Sequence, residues 1–208
     1  MFNGIIESFG KILAMDSTTH GGVRMRISSG KLARRLRPSD SIAVDGICLT
    51  VTRKTGTGLL IDISPETWRN TNLMHKKKGD LVNLELPMTP STMLSGHFVQ
   101  GHVEGLARVA GWKKEGDDVR LNLHLTPGLV ENCVPKGSIA VNGVSLTIAG
   151  MKGQKIEIAL IPYTLRKTNL KSLKPGDHVN IETDIIGRYV VSALKRQYYG
   201  YKSKNLIS

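Results

Sequence analysis

Apolar and polar positions alternate over short stretches along most of this chain. Val23-Arg24-Met25-Arg26-Ile27 and Val119-Arg120-Leu121-Asn122-Leu123-His124-Leu125 set an apolar residue at every second position, as in a strand with one buried face. Residues 59–63, 81–86, 156–161 and 178–182 have the same character, and residues 1–7 also read as strand. Residues 41–44 run into Asp45-Gly46, and residues 138–141 into Asn142-Gly143. These dipeptides favour a two-residue hairpin because both positions accept positive φ. Short helices are predicted at residues 32–36 and 129–133, and another beginning at Pro65-Glu66-Thr67-Trp68.

After residue 183 the period changes. Ile185, Ile186, Tyr189, Val190, Ala193 and Leu194 recur at three- and four-residue steps, which predicts an amphipathic helix. Asp184 stands at its N-cap and Lys195-Arg196 at its C-terminal end, matching the helix dipole. A single apolar stripe must be covered, either by the protein's own barrels or by other copies of the helix; we favour the second. The tail from Tyr198 has no firm pattern.

The chain also repeats itself. Ser41-Ile42-Ala43-Val44-Asp45-Gly46-Ile47-Cys48-Leu49-Thr50 returns as Ser138-Ile139-Ala140-Val141-Asn142-Gly143-Val144-Ser145-Leu146-Thr147, an offset of 97 residues from Ser41 to Ser138. The same offset carries Thr67-Trp68-Arg69-Asn70-Thr71-Asn72-Leu73 onto Thr164-Leu165-Arg166-Lys167-Thr168-Asn169-Leu170. It also carries Gly79-Asp80-Leu81-Val82-Asn83-Leu84-Glu85 onto Gly176-Asp177-His178-Val179-Asn180-Ile181-Glu182. A period this long indicates a duplicated domain rather than a solenoid unit. About six short strands per copy, with regular turns, predict a small antiparallel barrel. The expected organisation is all-β: a first barrel with its Pro87- and Pro90-containing linker over residues 1–95, a second over 96–183, and a C-terminal oligomerisation helix and tail over 184–208.

Composition narrows the function classes. At 208 residues, with 40% hydrophobic and 22% charged, the chain suits two small globular domains. It has no apolar run of membrane-span length and no leader-like start. Two cysteines, Cys48 and Cys133, suggest a reduced, cytoplasmic setting rather than a disulfide framework. The net charge of +12 raises the question of nucleic acid. Yet the basic residues are dispersed outside Arg34-Arg35, Lys76-Lys77-Lys78 and the tail, and only 5% of residues are aromatic. A solvated basic surface is the better reading, with neither nucleic acid nor membrane as partner.

Candidate chemistry centres on Gly96-His97-Phe98-Val99-Gln100-Gly101-His102-Val103-Glu104-Gly105, two imidazoles among glycines. A five-residue spacing sets His97 and His102 on opposite faces of a strand, so they do not form a chelating pair, and no metal site is expected. No GxSxG elbow, P-loop or dinucleotide motif is present. At the 97-residue offset this stretch opens the second copy as its strand, with Gly101-His102-Val103-Glu104 on Gly4-Ile5-Ile6-Glu7. Ile5 therefore answers to His102, and Cys48 to Ser145. Duplicated pockets have diverged at polar, reactive positions.

Together, the N-terminal Met1-Phe2-Asn3-Gly4-Ile5-Ile6-Glu7, the paired SIAV(D/N)GxxLT and TxRxTNL segments and GHFVQGHV closely resemble the riboflavin synthase family, the lumazine-dismutating alpha-chain type, from Met1 to about Leu194. The resemblance implies two six-stranded Greek-key barrels and a homotrimer held by C-terminal helices, with lumazine synthase as a candidate partner. It implies transfer of a four-carbon unit between two molecules of 6,7-dimethyl-8-ribityllumazine, without cofactor or metal, to give riboflavin and 5-amino-6-ribitylaminouracil. One lumazine would sit in each barrel, and the productive site would lie between the first barrel of one subunit and the second of a neighbour.

By the same resemblance, the first copy contacts substrate through Gly4, Ile5, Ile6, Cys48, Leu49, Thr50, Asp62, Ile63, Ser64, Pro65, Glu66 and Thr67. The second copy uses Gly101, His102, Val103, Ser145, Leu146, Thr147, Ala159, Leu160, Ile161, Pro162, Tyr163 and Thr164, with Lys136 reaching across the subunit boundary. His102 and His97 are the expected proton-transfer groups, in one half of the paired pocket. Ser145, Thr147 and Cys48 would assist addition or orient the ring, and Asp184 matches an acidic family position. Two departures stand beside these motifs: Asn3 where the family usually has threonine, and Ser95 where it usually has glycine. The rival is a non-catalytic lumazine- or flavin-binding protein on the same fold; such proteins usually lose the paired histidines that this chain keeps.

Overall fold

The computed structural model describes residues 1–205 apart from Thr57 and Asp117, with backbone alone over 199–205. The first copy contains β1 (Ser8–Ser17), β2 (Val23–Ser28), β3 (Ser41–Val44), β4 (Ile47–Thr55), β5 (Gly58–Ile63) and β6 (Leu81–Glu85). They close into a barrel in the Greek-key order β1-β2-β5-β4-β3-β6. The second copy repeats this with β7 (Gly105–Glu115), β8 (Asp118–His124), β9 (Ser138–Val141), β10 (Val144–Lys152), β11 (Lys155–Leu160) and β12 (His178–Thr183). Bulges bend the long strands at Ile12/Ala14 and Val51/Arg53, and at the matching Val109/Gly111 and Ile148/Gly150. Such an extra residue adds the twist that a six-stranded sheet needs to close on itself.

Each barrel fills its own core. Met25, Ile27, Val51, Leu59, Ile61 and Leu84 are sealed in the first, and Leu121, Leu123, Ile148, Ile158, Val179 and Ile181 in the second. Asp45-Gly46 and Asn142-Gly143 form the expected tight hairpins, with φ of 47°, 77°, 46° and 76°. Helices α1 (Pro65–Asn70) and α3 (Pro162–Lys167) follow β5 and β11; Ser64 Oγ caps α1 by accepting from Thr67 N–H. The helix expected at 32–36 is a 3-10 turn at Gly30–Arg34, and that at 129–133 is one turn, α2 (Pro127–Val130).

Two expectations need correction. Residues 1–7 and 96–104 are not strands: their one extended pairing is the bridge Phe2↔Val99, which joins the two segments to each other. Gly4 and Gly101, at φ 76° and 82°, break each run before it can enter its barrel. The C-terminal helix, α4 (Ile185–Asn205), also extends past Lys195-Arg196. Asp184 Oδ1 does cap it, accepting from Ile186 N–H at 3.0 Å.

The barrels meet across a pseudo-dyad at the two hairpin turns. A Cβ on Gly46 would lie 2.6 Å from Gly143 N, and one on Gly143 would lie 2.7 Å from Gly46 N. Around this contact Asn72 N–H donates to Asn180 Oδ1, and its duplicate Asn169 N–H donates to Asn83 Oδ1, both at 2.7 Å. Asn83 and Asn180 side chains return the bond to main-chain oxygens of Asn142 and Asp45. Gly46→Ala should therefore cost more than its own left-handed strain, at least about 2 kcal/mol, because the added methyl pushes the barrels apart. Urea unfolding should show the loss, and an unchanged midpoint would contradict this packing.

Candidate active site

The glycines that stop the leading segments send each onto the opposite barrel. Gly4 C=O accepts from Ser145 N–H on β10 at 2.8 Å, and Gly101 C=O accepts from Cys48 N–H on β4 at 2.8 Å. A Cβ on Gly4 would stand 2.6 Å from that of Ser145, and one on Gly101 2.6 Å from that of Cys48, so only glycine permits the approach. Ile6 packs on the second core and Val103 on the first. The predicted segments are thus brought together, but in a crossed arrangement rather than copy by copy.

On one side Gly101, His102 and Val103 of the second copy lie against β4 of the first, where Gly101 meets Cys48, while Leu49 turns inward to the first core with Val103 packed on it. Cys48 and Thr50 share a strand face, and the neighbouring β5 leads through Asp62, Ile63 and Ser64 into Pro65, Glu66 and Thr67 of α1. Cys48 is half-buried on a cluster of Phe2, Ala43, Val99 and Ala140. Asp62 is held by a two-pronged pair with Arg24, Nε to Oδ1 at 2.7 Å and Nη2 to Oδ2 at 3.0 Å, which keeps its carboxyl below the usual range. The ring of His102 is exposed.

On the other side Gly4, Ile5 and Ile6 of the first copy lie against β10 of the second, where Gly4 meets Ser145 and both Ile6 and Leu146 pack on the second core. There the adjacent β11 leads through Ala159 and Leu160 to Ile161, Pro162, Tyr163 and Thr164. His97 belongs here: its Nδ1 lies 2.7 Å from Ser145 Oγ, and its main-chain N–H donates to Asn3 C=O. The imidazole is 7% exposed, and its Nε2 is buried without a hydrogen-bond partner among the described residues. Burial lowers its pKa, opposed by the nearby Asp184 carboxylate, so the ring is held neutral. His97 therefore stands against β10 and His102 beside β4, on different barrels, which differs from the expectation that they sit in one half of a paired pocket. The cause is the crossing: five residues separate them, and the turn at Gly101 lies between.

Lys136 is exposed in the loop before β9 with φ 67°, matching Ser39 (φ 77°) in the first copy. Cys133 is buried, its Sγ donates to Leu129 C=O, and burial pushes its thiol up to about 11, which makes it an unreactive core residue.

The residues missed by sequence reasoning are two carboxylates. Glu85 accepts from the N–H groups of Asn3 at 2.8 Å and Gly4 at 3.1 Å. Glu182, its duplicate, accepts from Gln100, Gly101 and His102 at 2.6, 2.9 and 3.0 Å. Both lie in the repeated strand-six segment, where four successive residues in β6 and five in β12 are buried and alternation gives no warning of an inward acid.

Two parts of the chain, residues 3–87 and 100–184, match the family described as the lumazine binding domain. A riboflavin synthase of Bacillus subtilis (strain 168) is 41% identical over 94% of this chain and 91% of its own length. One from Schizosaccharomyces pombe is 38% identical over 91% of each. Among solved structures, LumP complexed with 6,7-dimethyl-8-(1'-D-ribityl) lumazine superposes with a TM-score of 0.80 at 27% identity, covering 88% of this chain and 99% of that one. LumP complexed with riboflavin gives 0.81 at 29% identity over the same shares.

Burial pushes the Glu85 carboxyl up to about 7, against the N–H bonds that favour its charge. Folding thus favours its acid form. That contribution is fully present below the ordinary value of 4.5 and is lost as pH rises to about 7. We expect unfolding free energy to fall by on the order of 3 kcal/mol across that window from Glu85, with Glu182 adding in the same direction. Glu85→Gln should flatten the slope in urea melts run between pH 4.5 and 8, and an unaltered slope would refute the assignment.

Proposed function

Because the chain belongs to the riboflavin synthase family, we propose that it dismutates two 6,7-dimethyl-8-ribityllumazine molecules into riboflavin and 5-amino-6-ribitylaminouracil. The observation behind this is the pair of crossed pockets, alike in frame and unlike in reactive groups. One substrate species must act both as donor and as acceptor of the four-carbon unit, and unequal pockets distinguish two identical molecules. Holding both rings in register replaces a bimolecular encounter with an effective concentration on the order of 10⁵ M or more.

In our reading, His102 takes a proton from the 7-methyl group of the lumazine at Cys48 and Thr50. At the second pocket, neutral His97 takes the Ser145 hydroxyl proton as that oxygen, or a water in its place, adds to the other ring. Thr147 orients that ring, and Asp184 favours the imidazolium that results. The remaining contacts named above hold the ring and the ribityl chain.

We take the packed Phe2, Ala43, Val99 and Ala140 to separate the two sites of one chain, so that stacked rings call for a second copy. Helix α4 offers the means. Arg188 reaches Glu104 at 3.3 Å and Lys195 pairs with Glu131, docking one side on its own barrel, while Ile186, Tyr189, Val190 and Leu194 remain exposed. We take the assembly to be a homotrimer through this stripe, with Lys136 of a neighbour completing a pocket. Lumazine synthase is its candidate partner and the cytoplasm its location. Among the described residues no helix is long and apolar enough to cross a membrane.

The test is to incubate the pure protein with 6,7-dimethyl-8-ribityllumazine and follow both products. One riboflavin should form per two substrates consumed, with no added metal or cofactor; saturable binding without turnover would instead favour a lumazine carrier. His102→Gln should lower kcat by about 10²-fold or more, and equilibrium binding by far less. Equal losses in rate and affinity would remove His102 from the chemistry.

A further inference from the structure

The carboxylates beneath the leading segments are held alike but have different groups hanging from them. Glu182 is 3% exposed at the end of β12 and faces three consecutive main-chain N–H groups, those of Gln100, Gly101 and His102. Consecutive N–H groups converging on one anion fix the backbone that bears them. Above this nest, Gly101 is bonded to Cys48 and the next residue is His102. Since its ring is exposed, the imidazole is placed mainly by the backbone from which it hangs. Glu85 makes the same nest beneath Gly4, but the next residue there is Ile5.

We propose that Glu182 is the positioning residue for His102, its ionised carboxylate setting the imidazole at the Cys48 pocket through the Gln100–His102 backbone. This rests on the reading of the chain as a riboflavin synthase with His102 as base. A carboxylate offers only acceptors to the three donors. A protonated carboxyl or an amide must turn a donor toward at least one of them, leaving a buried N–H unpaired and the segment loosened. His102 and Glu182 also attract one another electrostatically, so the charge that anchors the backbone also favours the imidazolium formed in the reaction.

The experiment is a double-mutant cycle with pH profiles. Glu182→Gln should lower kcat about 10²-fold, the scale of a displaced catalytic group, with KM changed little. Added to His102→Gln it should cost almost nothing more, because both changes remove the same function. On the acid side, log kcat of the unmodified enzyme should fall more steeply than that of Glu182→Gln, because protonation of Glu182 releases the backbone, and Glu182→Asp should restore the steeper slope. Full additivity of the two losses, or an unchanged slope, would overturn the assignment and leave Glu182 as scaffold alone.

Proton NMR of the unmodified protein gives a second arm that needs neither turnover nor a variant. The Gly101 and His102 amide protons and the His102 ring protons should share a titration step from Glu182, whereas unrelated midpoints would overturn the proposal. Absence of any riboflavin from the unmodified enzyme would defeat the functional reading, with this NMR result still deciding the positioning role.

Discussion

The structure depends on one crowded contact, where the Asp45-Gly46 and Asn142-Gly143 turns face each other across the pseudo-dyad. The turns are buried, so their polar groups must be satisfied from within. Asp45 receives Asn83 N–H at 2.7 Å and the amide groups of Asn72 and Asn169 at 3.0 and 2.8 Å, with Lys76 Nζ at 3.3 Å. Its duplicate is Asn142, not a second aspartate. Two carboxylates in this position would repel one another in a poorly solvated space, whereas one acid and one amide share the same donors. Perfect symmetry would be electrostatically costly, so the duplication breaks it at its own axis.

That axis also determines where the chemistry lies. With the barrels joined turn to turn, each leading segment is nearer the other barrel's hairpin than its own, and glycine at 4 and 101 allows it to lie directly on β10 or β4. The Cys48 and Ser145 surfaces are then each a composite of both copies. His102 consequently follows the turn that meets Cys48, the duplicate of Ser145, while His97 is hydrogen-bonded to Ser145 itself.

Much of the frame was legible in the sequence because it rests on local rules. Period-two strands, the Asp-Gly and Asn-Gly turns and the cap at Asp184 are set by neighbours along the chain, and the 97-residue offset shows in direct comparison of its two halves. The crossed pockets were not legible, since hydrophobic alternation cannot say which barrel a segment docks on. Residues 1–7 looked like strand because their composition suits extended backbone, yet they pair as strand only at Phe2. The fine detail of Glu85 and Glu182 was hidden by their burial among Val82, Asn83 and Leu84, or Val179, Asn180 and Ile181, where every position faces protein.

Divergence between the copies follows from this geometry. Apart from Asp45 and its duplicate Asn142, positions that touch the axis are confined: Gly46 and Gly143 by backbone contact, Asn72 and Asn169 by reciprocal bonds to the opposite barrel. The carboxylate nests are confined too, since only an acceptor-rich side chain satisfies several N–H groups at once. What remains free is the set of half-buried and exposed positions facing the pockets, and there the copies differ: Cys48 against Ser145, Ile5 against His102, Asp62 against Ala159. An invariant frame with variable pocket walls allows two molecules of one compound to be held in the same way yet react differently. The asymmetry is then a requirement of the reaction that the symmetric fold was able to accommodate.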